Sequence, residues 1–326
     1  METFFGAFVS VSLLLTWASG SHVAVAFRSA CSTGAQYQTM AAQNAATIEA
    51  GSIKVFGRAE SGWQIYAPQI AHTIGTPCAP TTQGFAATLA DWQSEHRIAA
   101  TGEINTATLA LMKTKWQQAR PFVAEGTCPA APEEAALTDI AANEGWSGKT
   151  AQLEHNALEN LRQMVAAARA EDPRIAADPQ MLRIVSAYRS PEYDAGRCAR
   201  DHNCNGVVRA RCSAHRTGRA IDLYIGALPG QSPVSSDDAN RLYQTKTPAY
   251  RWLVKNAARF GFVNYVFEPW HWEWVGTTPT PELQMIAAVA VKKQAEPAKP
   301  VKASMTGSQP LIALSLRLRA LFGSSE

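Results

Sequence analysis

The sequence predicts an α+β fold, in which an antiparallel sheet flanked by helices follows a small all-helical unit. Three observations predict it. Residues 35–122 carry helical period and helix-start signals. Residues 136–280 mix strand-like and helical runs without the regular βαβ alternation of a parallel sheet. Between them, VAEGTCPAAPEEA at 123–135 is turn-rich and reads as a linker.

At the N-terminus, no Asp, Glu, Lys or Arg lies between Glu2 and Arg28, and FFGAFVSVSLLLTWASG leads to the small-residue triplet AVA at 24–26. Residues 1–26 are therefore expected to be a cleaved signal peptide, although the usual basic start is missing. An uncleaved membrane anchor ranks second and a buried helix third. Either of the first two makes the body exported: periplasmic or in the cell envelope, and in the second case membrane-anchored.

In the helical unit, Phe85, Leu89 and Trp92 share one helix face. Gly102 suits a turn, Asn105 or Thr106 suits a cap, and Leu109 and Met112 suit the buried face of the next helix. An earlier helix is expected in GWQIYAPQIAHTIGTPC. In the second unit, TAQLEHNALENLRQMVAAARAE has helical period, with Leu158, Leu161 and Val165 on one face. MLRIVSAY and AIDLYI read as strands, and PAYRWLVKNAARF reads as a helix that Gly261 stops. FVNYVF and WHWEWV flank Pro269, which should break or bulge the strand between them. Residues 292–326 begin as a Lys/Ala/Pro tract that cannot bury a core and reads as disordered. At 310–322, Leu311, Leu314, Leu318 and Leu321 share a helix face beside Arg317 and Arg319. That segment suits weak contact with a membrane surface or docking on the second unit.

A net charge of +3 over 326 residues is too weak and too dispersed for a nucleic-acid partner, but it suits an anionic polymer such as a cell-wall glycan. Six cysteines (Cys31, Cys78, Cys128, Cys198, Cys204 and Cys212) point to disulfides in an oxidising compartment. A structural zinc knuckle from Cys198, Cys204 and Cys212 with His202 and His215 is an alternative, although the spacing lacks a C-x2-C pair.

The chemistry starts from Asp222, set in the apolar run AIDLYI. An unpaired buried carboxylate is very costly, so an arginine, a backbone cap or a metal ion must meet it. Three islands hold suitable residues: SAYRS at 186–190, SAHRTGRAID at 213–222 and FEPWHWEW at 267–274. A catalytic zinc takes three protein ligands, keeps one position open, and works with a carboxylate that is not a ligand. His215, Asp222, Glu268, His271 and Glu273 supply such a set. Taken singly, each has an ordinary reading. His215 would be a core or surface histidine, and Asp222 would pair with Arg219 or Arg216. Glu268 would be a loop acid, Arg189 a cap or surface charge, and the tryptophans core and groove wall. Strand parity places Glu268 and His271 on opposite faces unless Pro269 interrupts the count. Parity also puts Glu273 on the His271 side, as a partner behind that histidine or a rival base. Gly218 permits the tight turn that returns His215 to the strand.

The pattern SxHxxGxAxD followed by ExWH, with SxYRS upstream, resembles the zinc D-alanyl-D-alanine peptidases of the VanY type. Hedgehog signalling domains share the zinc-site architecture of that family. The resemblance covers residues 150–275. It implies that His215, Asp222 and His271 hold Zn2+ and that Glu268 accepts a proton from water and carries it to the leaving amine. It also implies that Arg189 meets the substrate, either at the oxyanion or at a carboxylate, with Tyr188 and Ser213 on the substrate side. The implied partner is peptidoglycan and the first-choice bond is D-Ala–D-Ala. Cross-link endopeptidase and L-Ala–D-Glu peptidase are alternatives, and a non-catalytic zinc-containing wall-binding protein is the alternative of another class. In the first unit, WQ, TGE and TATL resemble a small peptidoglycan-binding module. One departure is AGRCARDHNCNGVVRARC, a Cys- and Arg-rich loop before His215. A disulfide within it would rigidify the cleft mouth, and Arg200, Arg209 and Arg211 would meet acidic stem-peptide groups or simply be solvated.

Overall fold

A computed structural model describes residues 31–276 apart from 33, 127, 203 and 205–211. The export segment or anchor at 1–26 and the tail helix at 310–322 lie outside the described residues. Among the described residues, no helix is long and apolar enough to cross a membrane.

The first half contains helices α1 (Gln38–Ala50), α2 (Ala67–Ile74), α3 (Gln83–Glu95) and α4 (Thr106–Gln118), with a short antiparallel pair, β1 (Ser52–Ile53) and β2 (Glu60–Ser61). The Thr82 side chain accepts the Phe85 N–H at the start of α3, and Asn105 rather than Thr106 caps α4 by accepting the Thr108 N–H. Phe85, Leu89, Trp92, Leu109 and Met112 meet in one core with Trp63, Tyr66 and Ile70. Each such side chain contributes on the order of 1.5–3 kcal/mol through burial. Helix α1 has no apolar stripe for periodicity to find, and buries only Ala41 and Asn44. Asn44 holds the turn before α4 by donating to the Gly102 carbonyl (2.9 Å) and accepting the Ile104 N–H (2.9 Å).

The second half is α+β. Strands β3 (Leu137–Asp139) and β4 (Gln152–Glu154) pair antiparallel and lead into α5 (His155–Glu171). The helical run read from Thr150 therefore starts later, because residues 152–154 are committed to β3, and the Glu154 carboxylate caps α5 at the Ala157 N–H. Helices α6 (Pro191–Asp201), α7 (Asp238–Lys246) and α8 (Pro248–Asn256) follow. The four-stranded sheet runs β5 (Ile184–Ser186), β6 (Ala220–Leu223), β8 (His271–Trp274), β7 (Phe262–Asn264), every pair antiparallel. Its strands are shorter than their apolar runs. Leu182 adopts a φ of 65°, outside the β region, so the regular strand in MLRIVSAY spans only Ile184 to Ser186, although Leu182 and Arg183 still exchange backbone hydrogen bonds with Tyr224 (2.7 and 2.8 Å). Pro269 lies in the turn between β7 and β8, which ends FVNYVF at Asn264. Gly261, at φ 76°, closes the 3-10 turn that extends α8. Leu158, Leu161, Ile221, Leu223, Leu253 and Trp272 lie in the core of this half, with Val165 partly buried at its margin.

The halves share a buried seam. Val266 and Leu242 pack into the first half's core, and Phe56 meets Tyr265 edge-on and Phe267 at a tilt, at centroid distances of 5.7 and 5.4 Å. Arg241, with no exposed surface, donates to the Phe267 carbonyl (2.8 Å), Asp238 (2.9 Å) and the Tyr66 hydroxyl oxygen (2.8 Å). The Tyr66 hydroxyl in turn donates to Glu60 (2.6 Å).

Disulfides join Cys31 to Cys78, Cys128 to Cys212 and Cys198 to Cys204. The zinc knuckle is thereby corrected: no cysteine is free among the described residues, and a sulfur in a disulfide is not the thiolate that a metal requires. The Cys198–Cys204 bridge instead closes part of the loop before His215, and Cys128–Cys212 ties the 123–135 segment to that loop's end.

Candidate metal centre

The register of β6 on β8 sets Asp222 directly opposite His271, and Ser186 of β5 faces Asp222 from the other side. Directly opposed residues project to the same sheet face, so strand pairing alone brings two candidate ligands together. His215 arrives from a 3-10 turn, Ala214–Thr217, whose N-cap Ser213 accepts the His215 N–H (3.2 Å). Gly218 ends that turn at φ 69°, where a Cβ would press on Leu137 (3.1 Å) and Pro132 (3.2 Å). Its carbonyl accepts the Glu154 N–H (2.8 Å), so the turn is anchored to β4.

Ligand atoms of His215, Asp222 and His271 all lie within 4.8 Å of one another, and all three residues are buried. Asp222 Oδ1 is 3.2 Å from His215 Nε2 and 3.0 Å from His271 Nδ1. Around a tetrahedral zinc with bonds of about 2.0–2.1 Å, ligand atoms stand about 3.3 Å apart, so the two separations from Asp222 fit. The remaining ring nitrogens are held from behind. His215 Nδ1 is 2.7 Å from the Ala187 carbonyl, and His271 Nε2 is 3.3 Å from Glu273 Oε1. Such backing fixes which nitrogen faces a metal. The donor set and its spacing therefore suit a zinc ion.

Asp222 also meets an arginine, neither of the two considered from sequence. Arg189 Nη2 donates to Asp222 Oδ2 (3.0 Å) and to Ser186 Oγ (2.9 Å), and its Nη1 donates to Ser213 Oγ (3.3 Å). Arg219 pairs with Glu125 and Arg216 lies 4.0 Å from Asp194. Glu268 sits in the turn before β8, outside the strand count, with Oε2 4.0 Å from His271 Nδ1 and 32% of its side chain exposed. Tyr188 is half-buried beside Arg189, and its backbone N–H donates to Gln152 (2.9 Å). Arg200 pairs with Asp201 (3.4 Å) and remains largely exposed, whereas Arg209 and Arg211 lie outside the described residues.

The electrostatics divide the cluster. Burial acts to raise the Asp222 carboxyl, but His215 and His271 outweigh it and hold the group far below the ordinary carboxylate range. Burial lowers His215, favouring its neutral form. Burial also acts to lower His271, yet hydrogen bonds to Asp222 and Glu273 overcome it and raise the imidazole to about 9. Loss of water around the Glu268 carboxyl, reinforced by the Asp222 charge, raises it against the pull of His271.

Sequence parity found Glu273 but not what holds it. Glu273 is 2% exposed and accepts Arg120 Nε at 2.6 Å and the Phe122 N–H at 3.1 Å. Arg120 ends the first half, 153 residues away, and no local pattern marks it.

Residues 150–277 match the model of the family described as VanY, D-alanyl-D-alanine carboxypeptidase, which contains all three islands and leaves residues 35–122 outside its range. No curated protein matches the chain. Among solved structures, one titled as the LdcB LD-carboxypeptidase and its molecular basis of peptidoglycan recognition is 20% identical. It covers 51% of this chain and 77% of its own, at a TM-score of 0.35. Another, VanYB in complex with D-alanine-D-alanine, is 19% identical and covers 52% of this chain and 89% of its own, at a TM-score of 0.30.

Proposed function

We propose that the protein is an exported zinc peptidase that hydrolyses an amide bond of peptidoglycan stem peptides, with D-Ala–D-Ala as the first-choice bond. The observation that carries this reading is the buried His215–Asp222–His271 cluster, with Glu268 at its edge, inside a stretch that matches a D-alanyl-D-alanine carboxypeptidase family. His215 through Nε2, Asp222 through Oδ1 and His271 through Nδ1 would hold the ion. A bound zinc supplies Lewis acidity toward water and toward the scissile carbonyl.

Glu268 accepts the proton of the attacking water and delivers it to the leaving amine as the C–N bond breaks. Its upward-shifted carboxyl suits a group that must both take and give a proton. Arg189 donates to Asp222 and directs Nη1 toward Ser213, where an oxyanion or a substrate carboxylate would meet it. Ser213 and Tyr188 line the substrate side in this reading. Residues 35–122 act as the wall-binding module that holds the enzyme on its polymer, and residues 136–280 act as the peptidase domain.

The purified chain is tested for zinc content, for D-alanine release from stem pentapeptides and for sedimentation with isolated sacculi. One zinc per chain, activity lost to a chelator, and loss of both zinc and activity in His215→Ala are the expected results. Zinc retained by His215→Ala removes this site as the metal centre. A zinc-loaded chain that sediments with sacculi but cuts no stem-peptide bond is a non-catalytic wall-binding protein.

A further inference from the structure

Glu273 is a buried carboxylate that no step above uses. It stands opposite Ala220 in the β6–β8 register, and alanine leaves that face of the sheet open for a side chain from elsewhere. The side chain that arrives is Arg120, from the turn after α4. Its Nε and Nη2 both reach Glu273 Oε1 at 2.6 Å, and only 7% of its side chain is exposed. The same carboxylate oxygen faces His271 Nε2 at 3.3 Å, while Oε2 takes the Phe122 N–H. Arg120 is itself confined. Nη1 donates to Gln117 (3.0 Å), and the guanidinium lies 3.9 Å over the Tyr265 ring, which stands edge-on to His271 at 6.0 Å. A carboxylate held by an arginine and a backbone N–H cannot rotate away from the imidazole it faces. An imidazole whose rear nitrogen is held presents its other nitrogen in one direction.

We infer that Arg120 is a positioning residue for the metal centre: through Glu273 it locks His271 with Nδ1 turned toward Asp222, so that the N-terminal half of the chain completes a site otherwise built by the C-terminal half. The inference rests on the zinc reading of His215, Asp222 and His271. It goes beyond that reading by making metal affinity depend on a residue outside the stretch that matches the peptidase family. The partner of a ligating histidine typically changes metal affinity by about 10- to 100-fold when removed, and Arg120 acts one contact further back.

The experiment measures the zinc dissociation constant of the full chain by competition with a chromogenic chelator, beside thermal unfolding of the metal-free protein. Arg120→Ala is expected to weaken zinc by about 10-fold or more, and Glu273→Gln by a similar factor. The double variant should bind within about twofold of Glu273→Gln alone, because Arg120 acts through that carboxylate. Tyr66→Phe loosens the same seam at the Arg241 contact, without touching Glu273. It should lower the unfolding temperature and leave zinc affinity within about twofold of wild type. Wild-type affinity in Arg120→Ala overturns the inference, and so does a Tyr66→Phe loss as large as that of Arg120→Ala. Additive losses in the double variant overturn it as well. Should Arg120→Ala fail to fold, Glu273→Gln with wild-type affinity is sufficient to reject it. Wild-type zinc binding that survives His215→Ala is a different result, which removes the underlying metal reading.

Discussion

Two buried arginines cross the seam in opposite directions and end on different chemistry. Arg241 reaches from α7 into the first half, toward Glu60 (3.5 Å) and the Tyr66 hydroxyl. Arg120 reaches from the first half into the sheet, toward Glu273. Both are buried, both meet a buried carboxylate, and both lie over an aromatic ring: Phe267 at 4.1 Å for Arg241 and Tyr265 at 3.9 Å for Arg120. The Arg241 knot closes on itself, because its remaining partners are a backbone carbonyl and Asp238. The Arg120 knot stays open at one edge, where Glu273 turns to a candidate metal ligand. The same ion-pair physics therefore serves cohesion in one place and orientation of an imidazole in the other. The outcome depends on what stands behind the carboxylate.

The largest expected effect separates chemistry from both knots. Glu268→Gln keeps the side chain's shape but cannot accept the water's proton, and should reduce stem-peptide cleavage by about 10²- to 10⁴-fold. Zinc content and unfolding temperature should stay at wild-type values. Normal turnover in this variant would point to Glu273 as the proton acceptor and break the comparison, since a carboxylate locked by Arg120 is not free for that role.

A cohesion effect comes next. Arg241→Ala leaves the buried Glu60 with only the half-exposed Arg58, 3.7 Å away, as counter-charge, so the loss should stay below the roughly 3–5 kcal/mol of a fully unpaired buried charge. Urea unfolding of the metal-free chain measures it. Zinc affinity of the folded variant should be unchanged, and a large loss of affinity would show that the two knots are not distinct.

The smallest effect is a pH slope. In the metal-free chain His271 holds its proton up to about 9, while burial keeps His215 neutral. A metal ligand must be unprotonated, so zinc has to displace the His271 proton at every pH below that value. Zinc affinity should therefore rise with pH, by about tenfold per unit for one displaced proton, and level off as pH passes the raised pKa. Glu273→Gln should shift the levelling-off to lower pH, because one of the two acceptors that hold the proton has lost its charge. A flat profile at neutral pH would mean that His271 is already unprotonated and that Glu273 does not grip it.

The sequence by itself determined the local features. Helix faces such as Phe85, Leu89 and Trp92 were legible because a 3.6-residue period is written in neighbouring residues, and the Asn105 cap and Gly261 stop sit where backbone groups need them. The candidate ligands were legible because His215 and Asp222 lie in one short island, and His271 and Glu268 in another. Tertiary structure alone decided the pairings. It chose Arg189, not Arg219 or Arg216, as the arginine of Asp222, and it paired Cys128 with Cys212 across 84 residues. It also ended all four strands of the sheet short of their apolar runs and brought Arg120 to Glu273. These outcomes depend on which surfaces meet once the chain is packed. A contact between residues 153 positions apart leaves no period, cap or spacing in the sequence from which it can be read.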